Sequence, residues 1–162
     1  MARRRRFGVL FVLVVFLAVP RVAVAEKAVQ RWQRVAEILG KEGMLSSDGV
    51  YKITFRRTDL RVTLDGVPLA VGMGLASWAA FTRTPDGKAL VMGDTVMRGS
   101  EVNAVIDALR AGGIEVVALH NHMRGEQPPL LFLHYQARGE AEALAQTIRR
   151  ALDELGESKP RN

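Results

Sequence analysis

The stretch IEVVALHNHMRGEQPPLLFLHY, residues 114–135, decides the architecture that the rest of the chain must fit. Residues 114–119 are apolar except for Glu115, and residues 130–135 are largely apolar. Both runs have the length and composition of buried strands. The segment 123–129 between them is polar and contains two prolines. We therefore expect a loop there, with the second strand returning antiparallel beside the first.

The elements around this hairpin alternate between strand and helix patterns. Residues 50–67 and 75–96 alternate apolar and polar side chains with turn signals between them, which predicts a run of strands. The segments 26–40 and 140–155, and a third segment that begins at Ser100, carry apolar residues at helical spacing. Strands neighbour one another in sequence, and helices stand between groups of them. This order predicts an α+β fold with a mainly antiparallel sheet and helices packed on one face.

The first 25 residues have the pattern of a secretory signal peptide. Four arginines precede an apolar run of about 13 residues, Pro20 follows it, and small residues stand where a signal peptidase inspects the chain. The run is shorter than the roughly 20 residues that span a bilayer. We expect an exported protein, periplasmic or secreted, with no stable membrane span after cleavage; an uncleaved anchor is the alternative. One α+β domain is expected over 26–155 and a disordered tail over 156–162.

The net charge argues against a nucleic-acid-binding role. The chain carries 23 lysines and arginines against 17 acidic residues, a formal charge of +6. Five of the positive residues lie in the predicted signal and no acidic residue does, so the mature chain carries 18 against 17, or +1. Binding phosphates requires a concentrated positive face. We therefore expect no nucleic-acid partner.

Cysteine is absent from the chain. No lipid can then be attached to a cysteine at the cleavage site, so we expect an exported protein that is not lipid-anchored. A metal site has to use histidine, carboxylate, methionine or amide donors. We expect most of the methionines to fill the core. They include Met73, Met92, Met97 and Met123.

All three histidines lie within fifteen residues, at the predicted hairpin. Residues two apart on a strand point to the same face, so His120 and His122 project together. An antiparallel return brings His134 close to His120, with Glu126 in the connecting loop. Imidazole and carboxylate donors suit a divalent ion such as zinc, copper, nickel, iron or manganese. We predict a metal site made of His120, His122, His134 and Glu126, where Glu126 is a ligand or the base acting on a bound water.

Two other interpretations of this cluster stay open. In the first, no metal is present, and a histidine acts as acid or base on a small polar ligand while Glu126 orients it. In the second, His122 and Glu126 satisfy the loop backbone, and His120 and His134 form a cross-strand pair. The functions in question are a domain that binds a metal or small ligand, a non-catalytic envelope interaction protein, and a metal-dependent hydrolase of unidentified substrate.

Three polar residues elsewhere are candidates for supporting the histidines. Asp94 ends a predicted strand, while Glu101 and Asn103 open the helix that follows. Carboxylates near a helix N-terminus usually serve the helix dipole and the cap. The alternative is that Asp94 or Glu101 orients a histidine from behind.

Short ordered motifs run through almost the whole mature chain, over residues 30–153. They are 48–52, 57–60, 74–79, 92–94, 101–103, 113–116 and 118–123, followed by Glu126, Pro128, Phe132 and His134. On these motifs the chain resembles the LppY/LpqO-type bacterial lipoprotein domain family, a domain of unknown function. Longer members of that family carry two such units, and this chain has one. If the two units pack together, the resemblance implies a homodimer here.

Overall fold

The computed structural model describes residues 32–156. The predicted signal peptide and the first part of the helix expected over 26–40 lie outside the described residues, as does most of the expected tail. Within residues 32–156 no helix is long and apolar enough to cross a membrane.

The described part contains three helices and nine strands, several of them very short. The helices are α1 (Gln33–Leu39), α2 (Val102–Ala111) and α3 (Ala141–Asp153). The first strands are β1 (Met44–Leu45), β2 (Tyr51–Arg56), β3 (Thr63–Leu64), β4 (Val67–Pro68) and β5 (Ala76–Arg83). The others are β6 (Ala89–Arg98), β7 (Glu115–Asn121), β8 (Glu126–Gln127) and β9 (Leu130–Gly139). Single turns of 3-10 helix occupy Val71–Met73 and Gly99–Glu101.

Six of the strands form one antiparallel sheet in the order β1-β2-β5-β6-β9-β7. The remaining three form a small antiparallel sheet in the order β4-β3-β8. The predicted α+β fold with a mainly antiparallel sheet is therefore confirmed.

All three helices pack on one face of the six-stranded sheet, as predicted. Alternate strand residues such as Phe81, Val91 and Leu133 meet Leu109 of α2 and Ile148 of α3 in a single core. Each of these five side chains is buried. Truncating a side chain of this kind in a packed core costs about 2–5 kcal/mol.

The opposite face of the large sheet is covered only in part. Leu60, Val62 and Leu75, from the region of the small sheet, pack there in a second and smaller apolar cluster. Their partners from the large sheet are Val96, Leu130 and Phe132. Beyond this cluster lies a surface that we call the open face, carrying Trp78, Met92, Asp94, His120 and His134.

Strand β7 contains one residue more than its partner strand accommodates. Val116 pairs with Tyr135 and Ala118 pairs with His134, so Val117 is left without a partner. Because of this bulge, Val116 points to the helices whereas Ala118 points to the open face. If Val117 instead paired regularly with His134, each following residue of β7 would pair one position further along β9. His120 would then point toward the helices.

Three elements differ from the sequence-based predictions. Where a strand was expected around Leu60, the structure has only the short strand β3. The side chains of Leu60 and Val62 pack instead in the smaller apolar cluster. The loop expected over 123–129 contains β8, which pairs with β3. The helix expected to begin at Ser100 begins two residues later, after a 3-10 turn.

A buried ion-pair network ties this 3-10 turn to the rest of the molecule. The Arg57 guanidinium lies 2.8 Å from Oε1 of Glu101 and 2.7 Å from Oδ2 of Asp59, and it is almost fully buried. Arg98 and the backbone N–H of Gly156 donate to the same Glu101 carboxylate. Both oxygens of Glu101 are therefore held by groups other than a histidine.

Candidate functional site

His120 and His134 are in contact on the open face. Their Nε2 atoms lie 2.9 Å apart, and their rings are nearly stacked, with centroids 5.0 Å apart. Pairing of β7 with β9 produces this contact, since His134 lies opposite Ala118 and His120 lies opposite Phe132. The proximity predicted from the antiparallel hairpin is thus present.

The hydrogen bonds of this pair constrain where its protons lie. A separation of 2.9 Å is a hydrogen bond, so one Nε2 donates and the other accepts. The Nδ1 atom of His120 lies 3.0 Å from the carbonyl oxygen of Asn121, which can only accept. A neutral His120 therefore carries its proton on Nδ1, and His134 donates the shared proton.

Asp94 lies behind the histidine pair, between His134 and Trp78 in neighbouring strands. Its Oδ2 atom lies 3.9 Å from Nδ1 of His134, while Oδ1 is buried without a hydrogen-bond partner. Burial raises the pKa of the Asp94 carboxyl, although the nearby histidines act in the opposite direction. Asp94 thus lies near His134 but is not hydrogen-bonded to its ring.

His122 and Glu126 form a separate pair at the end of the hairpin. Nδ1 of His122 lies 2.8 Å from Oε2 of Glu126, whose carboxylate is buried. Oε1 of Glu126 accepts from the backbone N–H of Leu130 at 2.9 Å and, more weakly, from that of Met123. Glu126 therefore orients one histidine and holds the loop backbone.

The remaining nitrogen of His122, Nε2, lies beside Gly74. The ring stacks on Phe132, with centroids 4.6 Å apart. A Cβ atom placed on Gly74 would lie 2.7 Å from Nε2 of His122, so only a glycine leaves room for this ring. Gly74 also has a φ of +105°, which favours glycine.

The four predicted metal ligands thus fall into two pairs. Across residues 32–156, no group of three or more histidine or carboxylate side chains is arranged to hold a metal ion. Asn103 is exposed on α2, which covers the other face of the sheet, so the structure does not bring it to the histidines.

The methionines also depart from expectation. Of those in residues 32–156, only Met97 is buried. The expectation that most methionines fill the core is therefore wrong. The exposed ones are Met44, Met73, Met92 and Met123.

Sequence reasoning missed two contacts, one on the open face and one beside His122. Trp78 carries the ammonium of Lys52 over its ring, 4.2 Å from the centroid. The contact of Gly74 with His122 could not be predicted, because the two residues are far apart in sequence. The sequence showed only a glycine directly before the strand predicted to begin at residue 75.

The family model described as Domain of Unknown Function (DUF1259) matches residues 33–154. The chain belongs to this family. The DUF1259 match covers both histidine pairs and nearly every described residue. No curated protein and no solved structure matches the chain. The DUF1259 description names no reaction.

Proposed function

We propose that this DUF1259 domain binds a divalent cation on its open face, with Nε2 of His120 and Nε2 of His134 as protein ligands. The observation that supports this is the 2.9 Å separation of the two nitrogens. A tetrahedral ion with metal–nitrogen bonds of about 2.0–2.1 Å holds two such nitrogens roughly 3.3 Å apart. The cation takes the place of the shared proton, and the rings need to separate by only about 0.4 Å.

Asp94 fits this proposal as the group behind the ligand. Histidines that bind metals commonly direct their other ring nitrogen to a carboxylate, which fixes the ring and raises its basicity. Asp94 lies on that side of His134, with Oδ2 3.9 Å from Nδ1, so the two groups would have to move closer to form this hydrogen bond. A buried carboxylate without a full set of partners is costly, and a cation at the pair would stabilise its ionised form.

Two protein ligands leave coordination positions open. A four-coordinate ion at this pair has two positions for water or for a small polar ligand. His122 and Glu126 are engaged with each other and are not needed in this proposal. The arrangement suits an ion that presents an exchangeable ligand better than one that holds the fold together.

A metal-free acid–base site is the second candidate, and the hydrogen bond between His120 and His134 favours it. An imidazole can release or accept a proton at a ring nitrogen, which suits acid–base work on a polar ligand. Asp94, whose Oδ2 lies 3.9 Å from Nδ1 of His134, is too far away for a hydrogen bond, but its ionised form stabilises a positive charge on the pair.

The setting of this activity is also part of the proposal. The positive, apolar and small-residue pattern of residues 1–25 supports export to a periplasm or the medium. Within DUF1259, the segment ALHNHM at 118–123 and His134 support assignment to the LppY/LpqO type.

Zinc titration of the metal-free protein tests the cation site, with two-bond proton–nitrogen NMR of the histidine rings as the readout. We expect one equivalent of zinc to bind and to shift Nε2 of His120 and His134. His120→Ala removes this binding, and His122→Ala, the matched control, retains it. Absence of binding overturns the proposal, as does equal loss in the two variants. Retained ring hydrogen bonds without zinc binding would favour the acid–base site.

A further inference from the structure

Most methionine side chains in residues 32–156 face solvent, although methionine is among the residue types most often buried. Met44 is 80% exposed, Met73 61%, Met92 54% and Met123 50%. Met97 is the one methionine in this part of the chain that is fully buried. Exposure decides whether a dissolved oxidant can reach a thioether sulfur. The exposed methionines are therefore open to oxidation, and Met97 is shielded from it.

The exposed methionines take no part in the packing of the domain. The residues of the two apolar clusters include Met97 but none of the exposed methionines. Met73 ends a 3-10 turn, Met123 lies in the loop after β7, and Met44 belongs to the two-residue strand β1. Met92 lies within β6, but its side chain is on the open face. An oxygen atom added to one of these sulfur atoms therefore lies in solvent and disturbs no core.

No thiol competes with these thioethers for an oxidant, since the chain contains no cysteine. The product of methionine oxidation is methionine sulfoxide, which specific reductases convert back to methionine. Oxidation of a buried methionine disrupts the core around it, because the apolar side chain becomes polar. Exposed positions avoid this loss of structure, so the change at them is reversible in the folded state.

We propose that Met44, Met73, Met92 and Met123 are sites of reversible oxidation to methionine sulfoxide, through which the folded domain consumes oxidant. With hydrogen peroxide, each sulfur gives an electron pair to one peroxide oxygen, so that an S–O bond forms and the O–O bond breaks. The proton of the transferred oxygen passes to the departing hydroxide, which leaves as water. Sulfur is oxidised and peroxide is reduced. This proposal does not rest on the function proposed for the His120–His134 pair.

Peptide mass spectrometry of the full chain, after timed exposure to hydrogen peroxide without zinc, tests the proposal. We expect each exposed methionine to gain one oxygen atom. Met97 should react at least about 100-fold more slowly, because reaction there requires an opening of the core. Fragment ions separate Met92 from Met97, which share the tryptic peptide 89–98. In urea, where the chain is unfolded, Met97 should react as fast as the others.

The oxidised protein should keep its structure and be repairable. Urea unfolding should give the same midpoint before and after the four exposed sulfur atoms have reacted. Two reductases, one for each sulfoxide epimer, should together return every peptide to its original mass.

Leucine substitutions at an exposed and a buried methionine provide matched variants. Leucine is close to methionine in size and apolarity, so each variant should fold. Met92→Leu should take up one oxygen atom fewer than the parent chain. Met97→Leu should take up the same number as the parent while folded, because Met97 does not react in that state.

Three results would each overturn the proposal. The first is oxidation of Met97 in the folded protein at the rate of the exposed methionines. The second is a lower urea midpoint once the exposed methionines have reacted, since the domain would then lose stability as it consumes oxidant. The third is sulfoxide that the two reductases together do not remove.

Discussion

The Glu126 carboxylate lies 2.8 Å from Nδ1 of His122, and almost none of it reaches solvent. Its other oxygen accepts the backbone N–H of Leu130, the first residue of β9. One buried group therefore sets the orientation of a histidine ring and the point at which the chain returns into the sheet.

Removing this carboxylate should loosen the end of the hairpin. Glu126→Ala leaves the buried N–H of Leu130 without an acceptor, which costs about 1–3 kcal/mol. Glu126→Gln should cost less, because its amide oxygen still accepts that bond. Urea unfolding and amide exchange at Leu130 measure the effect, with the exposed Glu115→Ala as control. Equal stability of Glu126→Ala and the parent chain would contradict this account.

The buried guanidinium of Arg57 should be among the most sensitive positions in the domain. Arg57→Met leaves the Glu101 carboxylate buried with fewer partners, and breaking a buried pair in this way costs about 3–5 kcal/mol. The double variant Arg57→Met/Glu101→Leu removes both charges and should recover part of that loss. Urea unfolding of the parent chain, the two single variants and the double variant gives the coupling free energy between Arg57 and Glu101. The exposed Arg61→Ala serves as a control, and a loss as large there would count against the network.

Asp59 should make the domain less stable in acid. Hydrogen bonding from Arg57 lowers the pKa of Asp59 to about 2, against about 3.9 for an unperturbed aspartate. A folded-state pKa below the unfolded value gives stability that is complete above pH ~4 and is lost as the pH falls toward ~2. In Asp59→Asn, urea midpoints measured between pH 2 and 5 should therefore fall less steeply with acid. Some dependence of the urea midpoint on pH should remain, because the pKa of Glu101 is also lowered. Identical slopes in the two chains would sink this prediction.

Asp94→Asn should separate stability from cation binding. Oδ1 of Asp94 is buried and unpaired, so replacing the carboxylate by an amide should not lower the free energy of unfolding. Zinc affinity should fall about 10-fold to 100-fold, as it does when the group behind a ligating histidine is lost. Calorimetric zinc titration and urea unfolding measure the two effects. Unchanged zinc affinity would remove Asp94 from the proposed site.

Gly93 is required for close packing within the large sheet. A Cβ atom at this position would overlap the ring of Tyr135 on the neighbouring strand, and that ring is buried. Gly93→Ala should destabilise the domain by about 1–3 kcal/mol through overpacking. Gly99→Ala is the matched control, since no heavy atom lies within 4 Å of its added Cβ. Thermal unfolding of both variants decides the matter, and equal midpoints would refute the prediction.

The part of the site that could be predicted from sequence is the part held by local pairing. Two strands separated by a short polar loop return antiparallel, and the period of two then brings His134 to His120. The helix stripes and turn signals gave the α+β fold for the same reason, because each depends on residues close together in the chain.

The rest depends on contacts between distant parts of the chain. Glu126 is buried because β8 pairs with β3, more than sixty residues earlier, and no local pattern announces that pairing. Glu101 pairs with Arg57, 44 residues earlier in the chain, and its position at the start of a helix did not indicate this partner. Gly74 lies beside His122 for a similar reason.

The extra residue in β7 has a consequence for how chain length can vary. Deleting Val117 would restore unbroken pairing while keeping Ala118 opposite His134 and His120 opposite Phe132. A chain one residue shorter at this point would therefore present the same histidines to the same side. A one-residue gap at this point in an alignment with a related chain would therefore mean a change in the pairing of β7 with β9. It would not indicate that the two proteins differ in their chemistry.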